Sequence, residues 1–342
     1  MSERYLRVGI LHLDVVARRL DLNLANFLAL AEEAADKGAQ LVVGTEMSLS
    51  GYCFEDRDSL LPYAQSEDGE ALGQISKWAA KRGVYVAIGL AELAKPEGII
   101  YNSAFFIDDK GKILGRARKI NAESRWACPG PPVQDNIWPT PWGQVGMRIC
   151  SDSWHSLIIR ISALKGADLL LLPANCPPMG LDPCDLWRFR AKENGLWFIA
   201  CNRTGQEKDL DCLEATSCAF DPYGQELFRG QSPQSAAFMV DLPLNEKGQL
   251  DNQRKKEILA QRTPQNHYRL CGNFNYIKDL TRYLKLPEPG ELELTAFIPR
   301  AQENPADFLE NTPQPWPNGL IFLPNWPYSP NDLERLNNLA GD

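Results

Sequence analysis

The chain has 342 residues, 44% of them hydrophobic and 23% charged, which is ordinary for a globular protein and long enough to bury a core without disulfides or a structural metal. Its formal net charge of −8 speaks against DNA or RNA as a partner, since nucleic acids require clustered basic side chains that displace counterions.

In chain order, Arg7–Leu11 is apolar and reads as a strand. Leu20–Lys37 then carries Leu24, Phe27, Leu28, Ala31 and Ala34 at helical spacing, and Gly38 stops it. Gln40–Thr45 is a buried strand with Glu46 at its end. A helix over Ala71–Lys81 and a strand over Val84–Leu90 follow. Strands Tyr101–Ile107 and Lys112–Arg118 flank a hairpin turn at Asp108–Gly111. Strand Gln144–Ile149 runs into Cys150. Helix Ser156–Lys165, strand Asp168–Leu172, helix Pro183–Asn194 and strand Leu196–Cys201 complete an alternating pattern, with a last hairpin at Asp221–Gly224. Strands alternating with helices, plus hairpins, predict layered α/β with mixed sheets. Beyond Leu270 prolines crowd together with aromatics (Trp316, Phe322, Trp326). Disordered tails are poor in aromatics, so residues 271–342 read as an ordered extension over the core or a neighbouring subunit.

The nine cysteines include no CxxC pair, which argues for a reducing compartment, most simply the cytoplasm. Three histidines far apart (His12, His155, His267) do not form a histidine-based metal site. No apolar run approaches the roughly 18–20 residues of a membrane span, and Val8–Leu11 is too short for a secretory signal.

Three segments set a reactive side chain directly after an apolar strand: Glu46, Lys119 and Cys150. Taken singly, each has a plain structural reading. A free cysteine is most often a small buried hydrophobe, Glu46 a surface carboxylate and Lys119 a solvated cation. The surrounding words change this. KGAQLVVGTEMSLSGY ends in Gly51-Tyr52, and YNSAFFIDDKGKILGRARK is a hairpin ending in Lys119. ESRWACPG follows, then VGMRICSDSWHSLIIR with Cys150-x-Asp152 and Arg160 beyond it. GADLLLLPAN, RAKENGLWFIACNRTG, SCAFDPYG and RKKEILAQRTPQNHY come next. In this order, from about Arg7 to Tyr268, they resemble the motifs of the nitrilase superfamily of carbon–nitrogen hydrolases.

The resemblance implies a four-layer αββα sandwich over residues 1–270 that dimerises through one helical layer, with 271–342 as an extension. It implies a small-molecule amide and water as reactants, with no cofactor, metal, nucleic acid or membrane. Glu46 would be the general base, Cys150 the nucleophile, and Lys119 with the Ser151 amide the support for an oxyanion. Glu123 corresponds to a second glutamate of the family, though the four-residue interval from Lys119 is shorter than in many relatives. Tyr52, Trp126, Asp152, Asn175 and Cys176 are expected to bind substrate or support the site. The loops Ser50–Arg57, Arg125–Cys128 and Cys176–Asp182 are expected to shape the pocket, with Met179 in its lining and Arg125 as the nearest cation. His155, where relatives carry other residues, is expected to be structural or pocket-lining. Cys150-Ser151-Asp152 favours an amide or carbamoyl amide over a nitrile. The rival readings are a nitrilase and a catalytically silent scaffold of the same fold.

Overall fold

The computed structural model describes residues 4–263 apart from 133, 179 and 181, together with residues 304, 307, 329, 331, 332, 334 and 335. The chain divides into two compact units, Met1–Arg262 and Thr263–Asp342. Met179, the closing segment from 264 onward and nearly all of 271–342 lie outside the described residues.

Fourteen strands and six helices make up the first unit. The strands are β1 (Tyr5–His12), β2 (Leu41–Val43), β3 (Tyr85–Ala94), β4 (Ile99–Ile107), β5 (Ile113–Arg118), β6 (Ile137–Thr140) and β7 (Gly143–Met147). They continue with β8 (Leu169–Pro173), β9 (Trp197–Cys201), β10 (Gln206–Glu207), β11 (Leu210–Asp211), β12 (Ser217–Phe220), β13 (Glu226–Gly230) and β14 (Ala236–Pro243). The helices are α1 (Leu20–Asp36), α2 (Arg57–Leu60), α3 (Glu70–Arg82), α4 (Ser156–Leu164), α5 (Pro183–Asn194) and α6 (Gln253–Ala260).

One sheet has the order β14-β1-β2-β3-β4-β5 and the other β13-β12-β9-β8-β7-β6. Each is parallel at its centre, through β1, β2 and β3 in the first and β7, β8 and β9 in the second, with antiparallel strands outside. The period of two explains the layers. Leu6, Val8, Ile10, Leu41, Val43, Ala104 and Phe106 share a core with Val145, Met147, Leu169 and Leu171 of the second sheet. The alternate residues Leu11, Val42, Val86, Ile88 and Phe105 pack with Phe27, Ala31 and Ala34 of α1 and Ile75 and Ala79 of α3. Strands buried on both faces must be apolar at every position, which is why they read as continuous runs. The second sheet is covered in turn by α4 and α5, and the four layers are the αββα sandwich expected.

Two features escaped the sequence reading. Strand β6 contains Pro139, which argues against a strand, yet proline is tolerated at a sheet edge and β6 is an edge strand. The first sheet is also completed by β14, paired antiparallel to β1 from Tyr5↔Pro243 to His12↔Ala236 across more than two hundred residues, which local pattern cannot reveal. Local punctuation agrees elsewhere: α5 starts with Asp182 accepting from the Cys184 amide at 2.9 Å and Pro183 in its first turn, and ends at left-handed Gly195. Helix α6 is fastened by Lys255, whose ammonium donates to Asp168 at 2.6 Å and to the carbonyls of Gly166 and Ala167.

His12, at the end of β1, is fully buried and its Nδ1 lies 2.9 Å from Ser217 Oγ on β12 of the other sheet. Burial lowers its pKa from 6.5 to about 4. Between those values the unfolded chain binds the proton and the folded one does not. The stability His12 contributes is therefore complete above about pH 6.5 and is lost as pH falls toward 4, by about 3 kcal/mol in all. In urea unfolding, wild type should lose about 3 kcal/mol more than His12→Gln between pH 7 and pH 4; parallel pH dependences would refute it.

Candidate active site

Strand ends bring the three reactive side chains together. Glu46 follows β2, where its amide bonds to the carbonyl of Ala174 at 3.3 Å and Thr45 Oγ1 bonds to the same carbonyl, so the end of β2 is tied to the chain beyond β8. Lys119 follows β5, its amide bonded to Asn102 O at 2.8 Å. Cys150 opens a 3₁₀ turn (Cys150–Trp154) just after β7 with φ +41°, a left-handed conformation that costs a residue with a Cβ of order 1–3 kcal/mol. Such strain persists only where the surroundings over-determine it.

Those surroundings centre on Asp152. Its Oδ1 accepts the amides of Ile120 (3.0 Å) and Asn121 (2.9 Å), immediately beyond Lys119, while Oδ2 accepts that of Ile149 at 3.5 Å. One buried carboxylate thus locks the Cys150 turn to the end of β5. Ser151, half-buried, donates its hydroxyl to Asn121 O at 3.2 Å and reinforces the same junction.

The Lys119 ammonium has no exposed surface and touches two carboxylates, Glu46 Oε1 at 2.8 Å and Glu123 Oε1 at 2.6 Å, with Tyr52 Oη at 3.3 Å. Tyr52 in turn donates to Glu123. The four-residue interval between Lys119 and Glu123 is therefore long enough, and the chain turns just beyond it, where the amides of Trp126 and Ala127 both bond to Glu123 O. Trp126 is buried and stands edge-on to the Tyr52 ring at 5.6 Å, so it backs Tyr52. Cys176 is fixed by Asn202, whose side-chain amide bonds both its N–H (3.0 Å) and its carbonyl (2.9 Å). Cys176 also lines a cavity of about 350 Å³ with Pro178, Gly180, Asp182 and Glu214. Asn175 is buried beside it and accepts from Cys212 Sγ at 3.5 Å. Arg125 and His155 are both exposed, His155 at the start of α4.

A family model described as carbon-nitrogen hydrolase matches residues 7–250. The chain belongs to the carbon–nitrogen hydrolase family. It is 34% identical to a nitrilase of Pyrococcus abyssi over 194 residues, 56% of this chain and 72% of that one. To an omega-amidase of Danio rerio it is 27% identical over 252 residues, 69% and 88% of the two chains. An amidase from Nesterenkonia sp. shares its fold at TM-score 0.65 and 22% identity, covering 79% of this chain and 98% of that one. The sandwich is thus that of the nitrilase superfamily, whose members act on carbon–nitrogen bonds.

The electrostatics of this carbon–nitrogen hydrolase follow from burial. Desolvation raises the pKa of Glu46, opposed by Lys119 and assisted by Glu123. The hydrogen bond to Cys176, burial and the Glu46 carboxylate together push the Cys150 thiol well up, against the pull of Lys119. Desolvation works against the Lys119 charge, but Glu46, Cys150, Tyr52 and Glu123 outweigh it and its pKa rises. Lys119 is therefore a permanent cation beside a protonated thiol. Among the described residues no group of three or more His, Cys, Asp or Glu is arranged to hold a metal ion.

Asn102 was missed from sequence. It is buried on β4 and donates to Glu46 Oε1 at 2.7 Å and Glu123 Oε2 at 3.4 Å. The available signal was an amide inside the otherwise apolar run of β4. Gly89 on β3 is another such residue. A Cβ there would stand 2.6 Å from Thr45 O and 2.7 Å from Glu46 Cα, so the β2 end can run past β3 only over a glycine. Gly89→Ala should cost about 1–3 kcal/mol in urea unfolding; an unchanged midpoint would mean that the Glu46 backbone has slack.

Proposed function

We propose that this enzyme hydrolyses a non-peptide amide or carbamoyl amide through a thioester on Cys150. The observation that carries the reading is the division of the Glu46 carboxylate. Oε1 is taken by Lys119 and Asn102, whereas Oε2 is buried and has no hydrogen-bond partner. A buried carboxylate oxygen without a partner, on a group whose proton affinity is raised, is a base awaiting a proton.

In the proposed reaction Oε2 takes the Cys150 thiol proton as Sγ attacks the amide carbon. The carbonyl oxygen becomes an oxyanion, met by Lys119 and by the Ser151 amide, which lies in the first turn of its 3₁₀ segment where amides have no intrahelical partner. Glu46 passes the proton to the leaving nitrogen, the C–N bond breaks, and ammonia or an amine departs. Glu46 then deprotonates water, which attacks the thioester; the acid leaves and Cys150 regains its proton. Asp182 and Glu214 on the cavity beside Cys176 support a neutral rather than carboxylated acyl group. Strong preference for carboxylated carbamoyl compounds would overturn that point.

Ammonia release from a panel of amides, ureas and nitriles tests the reading. Cys150→Ala and Glu46→Gln should each lower kcat at least about a thousandfold, and intact-protein mass spectrometry of wild type should trap an acyl adduct on Cys150. Undiminished turnover by Cys150→Ala would refute it. Acid formed from nitriles without free amide would instead favour a nitrilase, the reading supported by the name of the Pyrococcus abyssi relative. Absence of turnover and of any acyl adduct on Cys150 across the whole panel would favour a silent scaffold.

The enzyme is proposed to act as a homodimer in a reducing compartment, the cytoplasm. Eight free cysteines among the described residues support the compartment. Trp154, Leu157 and Phe189, exposed by 57%, 71% and 64% on adjoining segments around α4 and α5, support burial of that helical layer against a second copy. Leu157→Glu with Phe189→Glu should halve the mass seen by sedimentation; an unchanged mass would exclude this face.

A further inference from the structure

Glu207 lies outside every residue singled out from the sequence. It is buried behind the loop that carries Tyr52, and its carboxylate receives two consecutive backbone amides. Oε1 accepts from Tyr52 at 2.8 Å and from Cys53 at 2.6 Å, and Oε2 from Tyr52 at 3.0 Å. Arg203 supplies the opposing charge, Nη1 to Oε2 at 3.0 Å, and is itself held by the carbonyls of Thr204 (2.9 Å) and Val15 (2.7 Å). Gly51 makes the approach possible: its φ is +83°, and a Cβ there would stand 2.9 Å from both Glu207 Oε1 and Ala17 Cα.

Tyr52 is therefore held at both ends. Its backbone is fastened to Glu207, its ring leans on Trp126, and its hydroxyl meets Lys119 and Glu123. Lys119 has three donors, and its three partners are Glu46, Glu123 and Tyr52. Tyr52 is the most distant of them and the one that stays uncharged, since burial raises its pKa well above the usual phenol range. The donor resting on Tyr52 is the one most easily given up to a developing oxyanion.

We infer that Glu207, paired with Arg203, is a positioning residue: through the Tyr52 backbone it sets the phenol hydroxyl that parks one Lys119 donor until the oxyanion forms. The inference rests on the proposed amide hydrolysis, but on a contact that reaction does not itself require. A displaced phenol lets Lys119 settle onto its carboxylates, and misplacement on this scale typically costs on the order of tenfold to a hundredfold in rate.

The test is a double-mutant cycle of Glu207→Gln and Tyr52→Phe on the full chain. Each single variant should lower kcat by on the order of tenfold to a hundredfold with KM little changed. The double variant should be no slower than the slower single, because both act through one hydroxyl. If Glu207→Gln lowers only the melting temperature and leaves kcat per folded enzyme unchanged, or if the two losses multiply, Glu207 is structural and the inference falls. Should Glu207→Gln fail to fold, Glu207→Asp keeps the charge opposite Arg203 and withdraws the carboxylate from the two amides; wild-type kcat in that variant overturns the inference equally. Alkylation of Cys150 by iodoacetamide, located by peptide mass, reads the same network without substrate. Altered rates in both single variants, unchanged further in the double, support Glu207 even if no amide is turned over, in which case the proposed reaction is what fails. Unaltered alkylation rates overturn the inference.

Discussion

Lys119 is a cation with no route to water, and the site is built around that fact. An ammonium removed from solvent costs several kcal/mol unless anions and acceptors replace its hydration. Glu46 and Glu123 supply the charge, Tyr52 the remaining acceptor, and Asn102 fills in against both carboxylates. These residues come from the chain after β2, the interior of β4 and the chain after β5, so the electrostatic need of one side chain requires those three stretches to meet at a common point. Losing Glu46 and Glu123 together would leave the ammonium buried with no counter-charge.

The two sheets meet that requirement by interlocking at their strand ends. Ala174, just past β8 in the second sheet, receives both the Glu46 amide and the Thr45 hydroxyl from the first. Asp152, on the Cys150 turn, receives two amides from the chain beyond β5. Each contact crosses from one sheet to the other and flanks a reactive residue. The left-handed backbone of Cys150 is affordable because Asp152 holds the turn from one side while Ser153 Oγ, bonded to Cys150 O at 2.6 Å and receiving Trp187 Nε1 at 3.0 Å, holds it from the other.

Most of the layered fold was legible because strands buried on both faces leave uninterrupted apolar runs, and helices such as α1, α3 and α5 carry both the right period and a terminating glycine. The β14 partner of β1 was not, since strand pairing at that separation leaves no local mark. In the site, Glu46, Lys119 and Cys150 could be picked out by their words and their strand-end positions. Asn102, Glu207 and Arg203 could not. A buried polar residue inside an apolar stretch is a hint of a network, but nothing in YNSAFF says which carboxylate Asn102 will meet, and nothing in CNRTGQE says that its glutamate will receive the amides of a loop some 150 positions earlier. The partners are set by tertiary packing, which the sequence encodes only jointly.

The balance of charge explains why two carboxylates share one lysine. Burial raises the proton affinity of Glu46, Lys119 pulls it down, and Glu123, bonded to the same ammonium, offsets part of that pull. The neighbouring Cys176, burial and the Glu46 carboxylate together keep Cys150 as a thiol, so no reactive thiolate waits in the resting enzyme. In the proposed reaction, proton transfer and bond formation then occur together. A thiol beside an avid base gains nucleophilicity only as the substrate carbonyl arrives and Lys119 can transfer part of its charge to the oxyanion. Were Glu123 absent, Lys119 would neutralise Glu46 alone and make it a weaker base. In the proposed reaction the second glutamate therefore acts through the lysine, by offsetting part of the pull that Lys119 exerts on the proton affinity of Glu46.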